Sequence, residues 1–287
     1  MNLKKVAILG PGLLGGSLAL SLRKNAPDSR IAVWGRRESA AAEVREMRIA
    51  DIASTDLESV VHEADAVIFC MPIGHMRALA ERVAPLLSPG VLVTDVGSVK
   101  VPVARALAPV FQKRARFVGS HPMAGSEQTG LAAARADLFE NAACIITPDE
   151  TTDACAVADA KEFWALLGCR VFALSPHEHD EAVALISHLP HLVAAALVKT
   201  AQTEKPAALD LCGSGFRDTT RVASGPPAMW SEILRENREP LKYSINAMIE
   251  NLHAMTTLLD SGDANAMERY LADVKTARDR LKISPNQ

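Results

Sequence analysis

The 287-residue chain has no C-x-x-C pair, and its five cysteines, Cys70, Cys144, Cys155, Cys169 and Cys212, are odd in number and widely spaced. That excludes a disulfide framework and points to buried free thiols in a reducing cytoplasm. Surplus charge is also missing. Thirty-one Lys and Arg against 34 Asp and Glu leave a net charge of −3, which offers no electrostatic footprint for nucleic acid or an anionic membrane surface. No apolar stretch reaches the roughly 18 residues of a membrane span, so no membrane association is expected. The first strand begins almost at once, with no apolar leader and cleavage site before it. Metal-ligand spacings, a G-x-S-x-G hydrolase elbow, internal repeats and low-complexity tracts are absent as well. Any basic residues that hold a small anion must therefore be local ones.

What is present alternates. Short apolar runs at 6–9, 31–34, 66–70 and 91–95 suit strands buried on both faces, and helical spacing fills 13–23 and 38–47. Further strands are expected at 116–118, 144–147 and 169–173. This is the pattern of βαβ units and an α/β fold with a Rossmann-like, mostly parallel sheet over residues 1–174. After Ser175-Pro176 no strand follows. Helical composition over 181–202, 207–214, 230–259 and 264–281 predicts an all-α domain over 175–283, with a disordered tail at 284–287. Apolar helices such as 245–259 carry more hydrophobic surface than so small a domain buries, which predicts a homodimer through that domain.

Gly10-Pro11-Gly12-Leu13-Leu14-Gly15 stands between the first strand and the first helix. Gly10 permits the tight turn, Gly12 the approach of a pyrophosphate, and Gly15 close packing of helix on strand. Leu13 and Leu14 open that helix, whose free N–H groups favour phosphate. Met71 and Pro72, directly beyond the strand at 66–70, are further candidates for cofactor contact. An NAD site usually carries Asp or Glu at the end of the second strand, on the ribose 2′-hydroxyl. Here the chain reads Trp34-Gly35-Arg36-Arg37. A pair of arginines there suits a 2′-phosphate, so NADP is favoured over NAD.

Three more segments carry chemistry. Asp95-Val96-Gly97-Ser98-Val99-Lys100 follows a buried strand, and ligands of such sheets sit outside the strand carboxyl ends. Ser98 and Lys100 are thus expected to face the cleft, Lys100 meeting a carboxylate or a cofactor phosphate. Ser-His-Pro-Met-Ala-Gly-Ser-Glu at 120–127 puts His121 in a short loop after a strand, beside Ser126 and Glu127. An imidazole with an ordinary pKa near 6.5 is a base at neutral pH. His188-Leu189-Pro190-His191 breaks a helical run, because Pro190 removes an N–H. Arg217 and Arg221 stand four apart, on one face if helical, and suit an anionic substrate, although a solvated charged face is the ordinary reading of such a pair. Trp230 lies just beyond.

The segments 10–15, 95–100, 120–127, 187–191, 216–221 and 229–230 resemble, in the same order, those of the prephenate/arogenate dehydrogenase family of tyrosine biosynthesis. The resemblance covers nearly the whole chain. It implies a Rossmann-like domain, a helical dimerisation domain, and oxidative decarboxylation of prephenate to 4-hydroxyphenylpyruvate, or of arogenate to tyrosine, or of both by a cyclohexadienyl dehydrogenase. His121 would then accept the substrate hydroxyl proton and Ser98 would orient it. Arg221 would hold the side-chain carboxylate, while Ser126, Glu127, His188 or His191, Arg217 and Trp230 line the pocket. No metal is expected. No appended regulatory domain is expected, so any tyrosine inhibition is expected to compete at the active site. Two rivals stand beside this reading. A β-hydroxyacid dehydrogenase or imine reductase would rely on a lysine such as Lys199. A non-catalytic NADP sensor would give His121, Ser98 and Arg221 no reason to converge.

Overall fold

The computed structural model describes residues 3–112, 114–125 and 128–281. The chain divides into two compact units, Met1–Arg238 and Glu239–Gln287. In the first, β1 (Lys5–Leu9), α1 (Leu13–Asn25), β2 (Arg30–Trp34), α2 (Glu38–Met47), β3 (Ile52–Ser54), α3 (Leu57–Val61), β4 (Ala66–Phe69), α4 (Met76–Val83), β5 (Leu92–Asp95), α5 (Val101–Phe111) and β6 (Arg116–Phe117) follow one another. Their strands form a six-stranded sheet in the order β3-β2-β1-β4-β5-β6, parallel throughout. Strands β1, β4 and β5 are wholly buried, with helices on both faces, which is why they read as unbroken apolar runs. The strand order reverses between β1 and β4, and that switch point is where such sheets open a crevice for a ligand. β3 escaped the sequence reading: three residues on a sheet edge carry too little periodicity to register.

The expected strand at 116–118 divides. β6 ends at Phe117, and β7 (Gly119–Pro122) leaves for a second sheet with β8 (Ala143–Thr147) and β9 (Arg170–Ala173), the helix α6 (Ala154–Leu166) lying between the last two. β7 runs antiparallel to β8, and His121 faces Ile145 in register. His121 therefore stands on a strand, not in a loop. Pro122 closes the strand, a position where its missing N–H costs no ladder bond.

The helical part begins with α7 (Pro176–Val183), whose entry is written locally. Ser175 accepts from the Glu178 N–H and the Glu178 carboxylate accepts from the Ser175 N–H, a closed capping box with Pro176 at the first position. The expected break at Pro190 is instead a widened π turn, Ala184–His188, leading without interruption into α8 (Leu189–Glu204). Pro190 has no N–H for the preceding turn, and the wider register absorbs the loss. The sequence expectation that no segment reaches span length is corrected here. The helix Pro176–Glu204 holds an 18-residue window of mean hydropathy 1.6, long and apolar enough by composition alone to cross a membrane. Yet His179, Asp180, His188 and His191 on it are all buried and hydrogen-bonded to other parts of the protein. Short 3-10 turns at Pro206–Leu211 and Arg221–Ser224 flank α9 (Ser214–Thr220), and α10 (Pro227–Glu236) closes the unit. The second unit holds α11 (Arg238–Ser261) and α12 (Ala264–Arg280), joined through Gly262 and capped by the Asp263 carboxylate on the Ala266 N–H at 3.0 Å. The helix expected over 230–259 is thus two, parted at Asn237. Tail residues 284–287 lie outside the described residues.

All five cysteines are free thiols, but Cys155 is exposed and Cys70 and Cys212 only half-buried, so burial describes Cys144 and Cys169 alone.

Candidate active site

The glycine loop at the end of β1 has the form a dinucleotide needs. Gly10 adopts φ +116°, and a Cβ there would fall 2.3 Å from the Cys70 carbonyl oxygen. A Cβ on Gly15 would meet the Gly10 carbonyl at 1.9 Å, so α1 can lie against the turn only with hydrogen at that position. A Cβ on Gly12 would meet nothing within 4 Å. The open space at Gly12, with Leu13 and Leu14 beginning α1 behind it, leaves room in which a helix N-terminus could hold a diphosphate. Met71 and Pro72 follow β4 across the switch point. At the end of β2, Gly35 donates to the Ser54 carbonyl at 3.1 Å, and Arg36 and Arg37 are exposed. The nearest carboxylate, Glu38, is on α2 and is ion-paired with Arg45.

Lys100, expected in the cleft, is fully buried. Its Nζ donates to Asp95 Oδ2 and, at 2.7 Å, to the Ser120 carbonyl. The Asp95 carboxylate also accepts from the N–H groups of Gly97 at 2.8 Å and Ser120 at 3.1 Å. Asp95 and Lys100 thus tie the end of β5 to β7 and fix the strand that carries His121. Ser120 adds to the tie: its hydroxyl meets the Asp95 carbonyl at 2.6 Å, Thr94 Oγ1 at 2.7 Å and the Trp164 indole N–H at 2.9 Å. Ser98 stays half-buried in the β5–α5 connection.

His121 Nδ1 lies 2.9 Å from His179 Nε2, and His179 Nδ1 lies 2.7 Å from Asp180 Oδ1. Asp180 also accepts from the Lys100 N–H at 2.6 Å and the Val101 N–H at 2.9 Å. α5 has no capping side chain at its own N-terminus, so a carboxylate eighty residues away closes it. Neither His179 nor Asp180 was singled out from the sequence. The local sign was the capping box, which places both near the start of a helix. Asn237, likewise unread, donates through Nδ2 to the Asp180 carbonyl at 2.8 Å and to His188 Nδ1 at 2.9 Å. Further along α8, His191 Nδ1 donates to the Val222 carbonyl at 2.9 Å, and its ring stacks on Trp230 at 3.6 Å. The Trp230 ring meets His188 edge-on at 6.2 Å.

Four imidazoles, one indole and the end of β5 are therefore gathered together. Burial holds the His121 imidazole well below its ordinary pKa, with His179, Lys100 and His188 adding to the effect. The ordinary imidazole pKa near 6.5 assumed from the sequence is corrected downward accordingly. Burial likewise lowers His179 against the pull of Asp180, and takes His188 down to about 4. Arg221 is exposed at the start of the turn whose Val222 carbonyl His191 holds, while Arg217 spends a guanidinium N–H on the Cys212 carbonyl at 3.0 Å. The two arginines do not share one helix: α9 ends between them. Ser126 and Glu127 lie outside the described residues. Lys199, the lysine of the rival reading, is exposed on α8 and reaches Gln202 at 3.5 Å.

Residues 18–173 match the family described as "Prephenate dehydrogenase, nucleotide-binding domain", and residues 175–273 match "Prephenate dehydrogenase, dimerization domain". The prephenate dehydrogenase of Bacillus subtilis (strain 168) is 37% identical over 99% of this chain and 78% of its own length. The crystal structure of A. aeolicus prephenate dehydrogenase in complex with hydroxyphenyl propionate and NAD+ superposes with a TM-score of 0.90 at 32% identity, covering 98% of this chain and 99% of that one. Synechocystis arogenate dehydrogenase gives a TM-score of 0.84 at 33% identity, over 96% of this chain and 99% of that one.

Proposed function

We propose that this chain, which belongs to the prephenate dehydrogenase family, oxidises and decarboxylates prephenate to 4-hydroxyphenylpyruvate with NADP in preference to NAD. It is an oxidoreductase that uses a pyridine nucleotide. The observation that carries the reaction is His121, a neutral, buried imidazole anchored to the carboxyl end of β5 beside the switch-point crevice. His121 accepts the proton of the substrate hydroxyl, and Ser98 orients that hydroxyl or the imidazole. The bound nicotinamide supplies the two-electron acceptor. Loss of the ring carboxylate as CO₂ then leaves an aromatic ring, so no metal is required as an electron sink. Arg221 holds the side-chain carboxylate, and Trp230 keeps His191 in place by stacking.

The choice of prephenate rests on His188. The Asp180 carbonyl can only accept, so the Asn237 atom facing it is the NH₂ group, and its second hydrogen goes to His188 Nδ1. The His188 proton is therefore on Nε2, a buried donor with no partner among the described residues. It calls for an acceptor. The keto group of prephenate is one; the ammonium of arogenate is not. The choice of NADP is supported by exposed Arg36 and Arg37, and by the engagement of Glu38 with Arg45. Steady-state assays that follow the reduced cofactor test both. Prephenate with NADP is expected to give the highest kcat/KM of the four substrate and cofactor pairs. A higher value with arogenate would overturn the role of His188, and a preference for NAD would overturn that of the arginine pair.

A homodimer through the helical region is supported by exposed apolar residues on both units: Leu185 and Ile186 on one, Ile249, Leu252, Leu259 and Leu271 on the other. Sedimentation equilibrium is expected to return twice the 30.7 kDa chain mass, and a monomer at micromolar concentration would contradict it. The absence of paired cysteines supports a cytoplasmic location.

A further inference from the structure

We propose that His179 and Asp180 are positioning residues, forming a relay that locks His121 in the tautomer with a bare Nε2. The inference rests on His121 as the base, and it concerns which ring nitrogen does the work and what holds it there.

The chain of donors is set from its far end. Asp180 accepts backbone N–H groups from Lys100 and Val101 and so presents an acceptor to His179 Nδ1. His179 must then carry its proton on Nδ1, which leaves its Nε2 as an acceptor. At 2.9 Å from that atom, His121 Nδ1 can only be the donor. The one lone pair left on His121 is on Nε2. A neutral imidazole has one proton to place, and this relay spends it on the side away from the reaction. All three side chains are nine-tenths or more buried, so water does not compete for these contacts.

The geometry also serves the charged state. When His121 Nε2 takes the hydroxyl proton, the ring becomes an imidazolium with both protons its own. Nδ1–H then donates to His179 with greater strength, and the Asp180 carboxylate behind it offsets the new charge. No proton need pass to His179. Asp180 is held rigid for this by a third contact, the Asn237 amide on its carbonyl at 2.8 Å.

Two measurements test the relay. Long-range ¹H–¹⁵N spectra of the native chain, with His121→Asn used for assignment, read the tautomer directly and do not depend on catalysis. They are expected to show protonated Nδ1 and bare Nε2 on His121; the opposite pattern would overturn the proposal. The second is kinetic. His179→Phe leaves His121 Nδ1 unpartnered and is expected to lower kcat by roughly 10²-fold or more, with KM changed by less than about threefold. His179→Gln restores an acceptor for Nδ1 and is expected to recover most of that loss, which a purely structural role for the ring would not produce. A His179→Phe enzyme within about twofold of native kcat would overturn the relay while leaving His121 as base. A fully active His121→Asn enzyme would instead remove the base itself. If the Phe variant does not fold, the spectrum of the native chain decides.

Discussion

His121→Asn is expected to lower kcat by 10²–10⁴-fold, the usual cost of deleting a positioned base, while the dissociation constant for NADP stays within about twofold of native. The separation follows from the layout. The proposed dinucleotide site is the β1–α1 turn of Gly10, Gly12 and Gly15, whereas His121 belongs to the second sheet, whose β7 is tied to the end of β5 through Ser120 and Asp95. Asn is small enough for the site and keeps a polar group near His179, so the loss falls on proton transfer and not on folding. The pH profile carries the same information. The base works when neutral, and its pKa is lowered, so the neutral form persists as pH falls below 6.5. The acid limb of kcat/KM in the native enzyme is therefore expected below pH 6.5. A limb at or above that value would mean that the imidazole is not buried in the working enzyme. Full activity in the Asn variant would end the mechanism.

Lys100→Met is expected to destabilise the fold by about 3–5 kcal/mol, the range for removing one partner of a buried ion pair. Both side chains of the pair have zero exposure. Met matches the aliphatic stem and leaves the Asp95 carboxylate, among the described residues, with the N–H groups of Gly97 and Ser120. Thermal or urea unfolding measures the loss. Pairing it with Asp95→Asn is expected to recover part of it, because the uncompensated charge is then gone. A lysine that faced a cofactor phosphate would behave in the opposite way, weakening NADP binding with stability untouched. That result would return Lys100 to the cleft.

The parts of this molecule readable from sequence are those written in local code. The glycine loop, the buried strands and the helix Glu38–Met47 each follow from neighbours within a few residues, and the last was anticipated to the residue. What was unreadable is built from pairs distant along the chain. Lys100 looked like a cleft residue because strand ends usually point there; its actual partner is Asp95, five residues back, and nothing in the spacing says that the two curl inward together. His121 looked like a loop residue because Gly and Pro punctuate its segment. Its strand exists only through pairing with β8, more than twenty residues later in the chain. Asp180 caps a helix eighty residues earlier, so neither that cap nor the imidazole relay behind it leaves a mark in either segment alone. Pro190 announced an interruption, but whether a helix breaks or widens depends on what packs around it.

The most direct test of the account is a crystal structure of the enzyme with NADP and a product analogue that keeps the ring hydroxyl. The account predicts His121 Nε2 within about 2.6–3.2 Å of that hydroxyl, with Nδ1 still on His179 and the Arg221 guanidinium on the analogue's side-chain carboxylate. An imidazole turned so that Nδ1 meets the hydroxyl, or a hydroxyl held away from His121 altogether, would contradict it.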